Sequence, residues 1–221
     1  MGKKLLCEHR HTIDSHPACF AEGKVKIAEA PAKVTQPWYT LPDYRIGYFD
    51  IETDGLKADF STILSWCIKD KGGSVVYDVT TRKDLLSGKP DQRLIKSLVK
   101  EMSKYKILVG YYSTKFDMPY IRTKALHYDI PFPEFGSAYH FDMYYTVKHK
   151  MCLSRNSLDN ACDYLGIVGK TPLAKDIWRA AKYGDQLALD KVVEHNIGDV
   201  EILEKLHDRL TPFAKWNKKS I

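Results

Sequence analysis

Ile107-Leu108-Val109-Gly110 is a short apolar run ended by glycine. It follows a segment, residues 91–104, in which Leu94, Ile95, Leu98, Val99 and Met102 recur at helical spacing. A brief continuous apolar run after an amphipathic helix is the pattern of a buried parallel strand reached by a crossover. Upstream, residues 45–52 read as a first strand and residues 62–68 as a second. Asp70-Lys71-Gly72-Gly73 is a hairpin turn signal, and residues 74–79 return as a third strand, which makes an antiparallel three-strand meander. Downstream, a helical run passes through Met118, Ile121, Ala125 and Leu126, and the remainder is expected to be mostly helical, with starts near Asp142, Ser157, Leu173 and Asp185. Three strands, a helix, a strand and then helices indicate an α/β domain with a mixed sheet. The 221 residues suit one domain, alone or with a short appendage.

The first strand carries two acids and then stops. In Tyr48-Phe49-Asp50-Ile51-Glu52-Thr53-Asp54-Gly55-Leu56 a period of two puts Asp50 and Glu52 on one face, and Thr53-Asp54-Gly55 breaks the strand just beyond them. Acids this close repel unless a cation lies between them, and a divalent metal with oxygen ligands is the natural candidate. The alternative is a strand with one solvent-facing polar side. Asp117 lies just beyond the buried strand at the opening of a helix, where capping is the alternative to ligation and Pro119 is tolerated in the first turn. His195 and Asp199 are four apart in a helical pattern and share a face; a polar face on a surface helix is the alternative there.

Taken together, these acids resemble the motifs of the DEDD, or DnaQ-like, 3′–5′ exonucleases of the ribonuclease H-like superfamily. Phe49-Asp50-Ile51-Glu52-Thr53 looks like the first motif. Gly110-Tyr111 through Phe116-Asp117-Met118-Pro119-Tyr120 looks like the second, and is most similar to family B polymerase proofreading domains and the YprB-like group. Asp142-Met143, Ser157-Leu158-Asp159, Tyr164-Leu165-Gly166-Ile167 and Lys170 resemble the stretch before the third motif, which His195-Asn196-Ile197-Gly198-Asp199-Val200 occupies. The resemblance covers roughly residues 45–210. It implies a ribonuclease H-like α/β fold, a mixed sheet of the three-strand meander plus parallel strands flanked by helices. It also implies two Mg²⁺ or Mn²⁺ ions held by Asp50, Glu52, Asp117 and Asp199, one serving the attacking water and the other the leaving 3′ oxygen. Asp50 would bridge the ions, Glu52 and Asp199 would hold the nucleophile-side ion, and Asp117 the second.

Two positions depart from the family pattern. Tyr112 stands where the family B pattern has Asn, and its ring would either stack on a terminal base or pack within the fold. His195 stands at the spacing where the family has Tyr. At four residues it lies about 40° round the helix from Asp199 and faces the metals. An imidazole, with its ordinary pKa near about 6.5, is able to take a proton from water at neutral pH, so His195 is expected to be the general base or to orient the water. A structural histidine on the helix face is the alternative. Thr53, Asp54, Gly55, Leu56, Tyr112, Lys115, Phe116, Arg155 and Asn156 are the expected substrate contacts, Lys115, Arg155 and Asn156 towards phosphates.

Outside residues 41–212, the N-terminal 1–40 contain Cys7, His9, His11, His16 and Cys19. Cys7, His11, His16 and Cys19, with His9 as substitute, would supply four ligands for a structural Zn²⁺, the alternative being a polar tail packed on the domain. Residues 213–221 form a basic tail with Trp216. The net charge of +6 leans towards an anionic partner. No apolar run is long enough to span a membrane, the N-terminus lacks a secretory h-region, and five scattered cysteines fit a reducing cytoplasm. The expected function is therefore a metal-dependent 3′–5′ exonuclease acting on single-stranded DNA or RNA ends. The rivals are a non-catalytic nucleic-acid-binding module and a structure-specific endonuclease or RNA-processing nuclease.

Overall fold

The computed structural model describes residues 6–7, 17–18, 25–26, 43–169 and 172–214. The chain forms two compact units, Met1–Pro42 and Asp43–Ile221. In the first, the two-residue strands Leu6–Cys7 and Val25–Lys26 pair antiparallel, with Cys7 opposite Val25. The expected zinc ligands His11, His16 and Cys19, the substitute His9 and the Cys7 side chain lie outside what is described. So do Lys170 and the basic tail from residue 215.

The second unit is built on a five-stranded sheet: β1 (Ile46–Thr53), β2 (Ile63–Asp70), β3 (Val75–Val79), β4 (Ile107–Gly110) and β5 (Tyr139–Asp142), in the order β3-β2-β1-β4-β5. β1 pairs antiparallel with β2, and β2 with β3; β1–β4 and β4–β5 are parallel. The hairpin between β2 and β3 closes at the expected residues. The Asp70 N–H donates to the Ser74 carbonyl at 3.0 Å, and Gly72 takes φ +65, which glycine adopts without steric cost. The edge strand β5 differs from the sequence-based expectation, which had the remainder mostly helical and named no strand beyond residue 117. Its Tyr-His-Phe-Asp sequence buries only Phe141, so it has neither the continuous apolar run of β4 nor a long alternation.

Among the described residues of this unit, seven helices follow or interleave: α1 (Arg82–Leu85), α2 (Gln92–Met102), α3 (Asp117–His127), α4 (Met143–Lys150), α5 (Leu158–Tyr164), α6 (Lys175–Lys182) and α7 (Gln186–Leu210). Four begin where the sequence carries a capping side chain, the first at Thr81, which accepts from the Asp84 N–H. Asp142 accepts from the Tyr144 N–H, Ser157 from Asn160 and Asp185 from Ala188. α2 and α3 cover one face of the sheet, where Phe49, Ile51, Trp66, Leu98, Leu108 and Ile121 share a core. α7 covers the other face, across β1 and β2, with α6 against it. Because Phe49 and Ile51 point to the α2–α3 side, the pleat turns Tyr48, Asp50 and Glu52 towards α7. Tyr48 sets the depth of that face: its hydroxyl meets His207 Nδ1 at 2.7 Å, and burial pulls His207 down to about 4, so the ring is neutral.

Two details tie these layers together. Asp91, fully buried just before α2, pairs with Lys124 of α3 at 2.8 Å and also accepts from the Tyr128 hydroxyl and the Ile63 N–H. A Cβ on Gly198 would sit 2.9 Å from the Gly169 carbonyl oxygen, so the segment before α6 crosses α7 where α7 has no side chain. Among the described residues, no helix is long and apolar enough to cross a membrane.

Candidate metal centre

β1 delivers Asp50 and Glu52 to the α7 side, and α7 answers with His195, Asn196 and Asp199. His195 Nε2 lies 3.6 Å from Glu52 Oε1 and 3.8 Å from Asp199 Oδ2. Glu52, His195 and Asp199 each offer a ligand atom, all within 4.8 Å of one another. Asp50 is held from the same helix: Asn196 Nδ2 donates to Asp50 Oδ2 at 2.6 Å, while Asn196 Oδ1 receives the Ser65 hydroxyl at 3.4 Å. Beneath them Cys67 faces Asp50 across the β1–β2 pair. Burial pushes its thiol up, and the charges of Asp50, Glu52 and Asp199 push it further, so it stays a neutral thiol.

Asp117 arrives from the opposite side of the sheet. It is the first residue of α3, only 3 % exposed, and its Oδ1 accepts the N–H of Ile51, the residue between Asp50 and Glu52, at 3.3 Å. Burial raises its carboxyl to about 7, against two backbone N–H groups that favour the anion; the nearby Asp142 carboxylate adds to the rise. A buried acid held this high lacks a positive charge beside it. Of the four expected carboxylates, Glu52 and Asp199 are brought together beside His195, while Asp50 is tied to α7 through Asn196 and Asp117 to β1 through the Ile51 N–H; such hard oxygens suit a divalent cation of the Mg²⁺ or Mn²⁺ kind. The donor chemistry and the raised Asp117 carboxyl thus fit the group that the sequence resemblance implies.

Asp142 does more than start a helix. Its Oδ1 accepts from Tyr112 N at 2.8 Å and from Tyr144 N at 3.1 Å, while its Oδ2 accepts from Thr114 N at 2.9 Å. One carboxylate thereby clips the loop leading to Asp117 onto the start of α4. The clip holds Tyr112 at φ 59, a left-handed conformation that a non-glycine residue rarely takes. Below it Ser113 bonds His140 Nε2 at 2.8 Å, and burial pulls His140 down to about 4.

The other expected contacts divide into two groups. Leu56, 80 % exposed, Tyr112, 46 % exposed, and Lys115 and Arg155 are open to a ligand. Thr53 and Asp54 serve the loop itself: Thr53 Oγ1 donates to the Gly55 carbonyl at 2.7 Å, and Asp54 accepts Thr62 N at 2.6 Å and pairs with Lys182 at 3.2 Å. Phe116 packs against the core and against Tyr120, with ring centroids 5.6 Å apart. Asn156 takes part through its backbone, whose carbonyl accepts the Tyr111 hydroxyl at 2.7 Å. Two residues of the centre escaped the sequence reading. Asn196 follows His195 and lies three before Asp199, a helix-face spacing that would have nominated it. Trp178 meets the His195 ring edge-on at 6.1 Å, across a gap of seventeen positions that no local pattern links.

A family model described as the RNase_H superfamily matches residues 47–211. No curated protein matches the chain. Among solved structures, the family B DNA polymerase from the hyperthermophilic archaeon Pyrobaculum calidifontis is similar in fold, with a TM-score of 0.62 and 19 % identity over 78 % of this chain. This chain spans 25 % of that polymerase.

Proposed function

Because this chain belongs to the RNase H superfamily, we propose that it is a nuclease, and specifically a metal-dependent 3′–5′ exonuclease acting on single-stranded DNA or RNA. The observation that carries this reading is the junction of β1, α3 and α7. There Glu52, His195 and Asp199 offer ligands within 4.8 Å of one another, and Asp117 comes in against Ile51. A fold that only binds has no need to crowd Glu52 and Asp199 together, which is costly without a cation between them.

In this proposal Asp50, Glu52, Asp117 and Asp199 hold two Mg²⁺ or Mn²⁺ ions. When bound, the ions supply Lewis acidity and neutralise the charge that develops on phosphodiester cleavage. The chain's own residues do the rest. Asn196 fixes the Asp50 carboxylate, and Trp178 fixes the His195 ring. His195 Nε2, beside Glu52 and Asp199, orients the attacking water and accepts its proton. Residues 1–40 are proposed as a Cys/His appendage and residues 213–221 as a basic tail; metal analysis of the purified protein tests the appendage, and substoichiometric zinc ends its zinc assignment.

The test is incubation of wild type and Asp50→Ala with 3′- and 5′-labelled single- and double-stranded DNA and RNA, with Mg²⁺ or Mn²⁺. Stepwise shortening from the 3′ end, lost in the variant, is the expected result. Internal cuts would assign an endonuclease, and no cleavage of any substrate with either metal would leave a binding module.

A further inference from the structure

Beyond the Asp142 clip, at the ends of β4 and β5, Tyr111, Tyr112, Tyr144, Asn156, Ser157 and Leu158 line an open pocket of about 440 Å³. Its aromatic wall continues outward along α4. Ring centroids are 4.9 Å apart for Tyr112–Tyr144, 5.3 Å for Tyr144–Tyr145 and 6.3 Å for Tyr145–His149. The first two contacts are edge-on, so each uses at most one ring face, whereas Tyr145 and His149 lie nearly parallel, 17° apart, and leave only their outer faces. Lys148 Nζ stands 5.9 Å over the Tyr144 ring, Lys148 and Lys150 are exposed at the end of α4, and Arg155 is exposed in the segment that follows it.

Tyr112 is the singular member. A tyrosine in the left-handed region is strained, and strain persists only where the surroundings impose it. Here the Asp142 clip imposes it, and the result is a large aromatic ring 46 % exposed at the mouth of the pocket. An Asn or Gly would satisfy that backbone more easily, so the conformation does not explain the ring. The edge-on contact with Tyr144 holds one side of the ring and leaves the rest of it open.

We propose that Tyr112, Tyr144, Tyr145 and His149 form a stacking track for single-stranded nucleic acid, with Lys148 and Arg155 contacting its phosphates. This rests on the nuclease reading for its direction: the 3′ end sits at the carboxylates and the preceding nucleotides run out along α4. The recognition is of base faces and phosphodiesters, which DNA and RNA share, and it is sequence-tolerant because every base has a π-face. A blunt duplex, whose base faces are already stacked, does not use the track.

The experiment is fluorescence anisotropy of dT15 and rU15, and of a blunt duplex of equal length, in EDTA, so that binding is read without hydrolysis. Tyr112→Asn is expected to weaken single-strand binding roughly 5- to 100-fold, as loss of one stacking platform does. It is also expected to keep or raise the Tm, because Asn tolerates φ 59. Lys148→Gln, on the exposed surface, is expected to reduce the slope of log Kd against log salt by about 0.7, one phosphate contact on a single strand. A Tyr112→Asn protein that binds as wild type does overturns the track, as does one that loses stability but not affinity, or a wild type that prefers duplex. For dT15 and rU15, loss with either one supports the track and assigns that strand. If wild type cleaves no substrate yet binding falls in both variants, the nuclease reading fails and the track stands. If wild type shortens oligonucleotides and neither variant changes binding, the reverse holds.

Discussion

Asp117→Asn separates the folding cost of this site from its chemistry. Asp117 releases its proton near 3.8 in an unfolded chain but holds it to about 7 in the fold, chiefly because it is buried. Between those pH values the native state binds more protons than the unfolded state, so stability falls as pH rises through that window. A shift of about 3 units, each worth about 1.4 kcal/mol, puts the cost of ionising Asp117 without a cation on the order of 4 kcal/mol at most. For a domain of this size that corresponds to a ceiling of roughly 8–16 °C in Tm. Asn keeps an oxygen for the Ile51 N–H and never ionises. In EDTA, Asp117→Asn should therefore melt above wild type at pH 8, by a margin that shrinks at pH 5 and vanishes only towards about pH 4. His140 and His207, both pulled down to about 4 by burial, make stability rise with pH up to the ordinary imidazole range in variant and wild type alike, so the comparison is between the two proteins at each pH. Added Mn²⁺ should raise wild type more at pH 8 than at pH 5, and the variant less at either. Thermal melts by circular dichroism read all of this. A variant with the wild-type Tm from pH 5 to 8, or a lower Tm at both ends, would refute the argument that burial strains this carboxylate.

Three further outcomes are expected. Asn196→Leu removes the 2.6 Å hydrogen bond to Asp50; calorimetric titration should show Mn²⁺ affinity reduced by about 10- to 100-fold with the fold intact. Lys124→Met leaves Asp91, which is fully buried, without its ion-pair partner; urea unfolding should show a loss of about 3–5 kcal/mol, largely restored when Asp91→Asn is added. At saturating metal, His195→Ala should lower kcat by roughly 100-fold or more; an unchanged kcat removes His195 as the proton acceptor.

The sequence carried the parts of this structure that are local. Period-two alternation put Asp50 and Glu52 on one face, and the pleat does turn both towards α7. The turn at Asp70–Gly73, the strand Ile107–Gly110 and the opening of a helix at Asp117 also stand where hydrophobic spacing and turn residues put them. What was hidden depends on partners distant in sequence. β5 is too short and too polar to announce itself, and exists because β4 offers it an edge. The left-handed Tyr112 is set by Asp142, thirty positions away. Asn196 reads as one more polar residue on a helix until Asp50 is placed opposite it. α6 begins two residues after the expected Leu173, because Leu173 packs beneath the helix pair instead of joining it.

α7 makes the centre a matter of phase. Its 25 residues lie along β1 and β2 from the Asp185 cap to Leu210, and His195, Asn196 and Asp199 all depend on that one alignment. Adding or deleting a single residue between Asp185 and His195 would turn every later side chain by about 100°. His195, Asn196 and Asp199 would leave the carboxylates together, and His207 would leave Tyr48 with them. Length variation is thus expected to be tolerated in the stretch before α6 and selected against inside α7, where the helix behaves as a key with one working orientation.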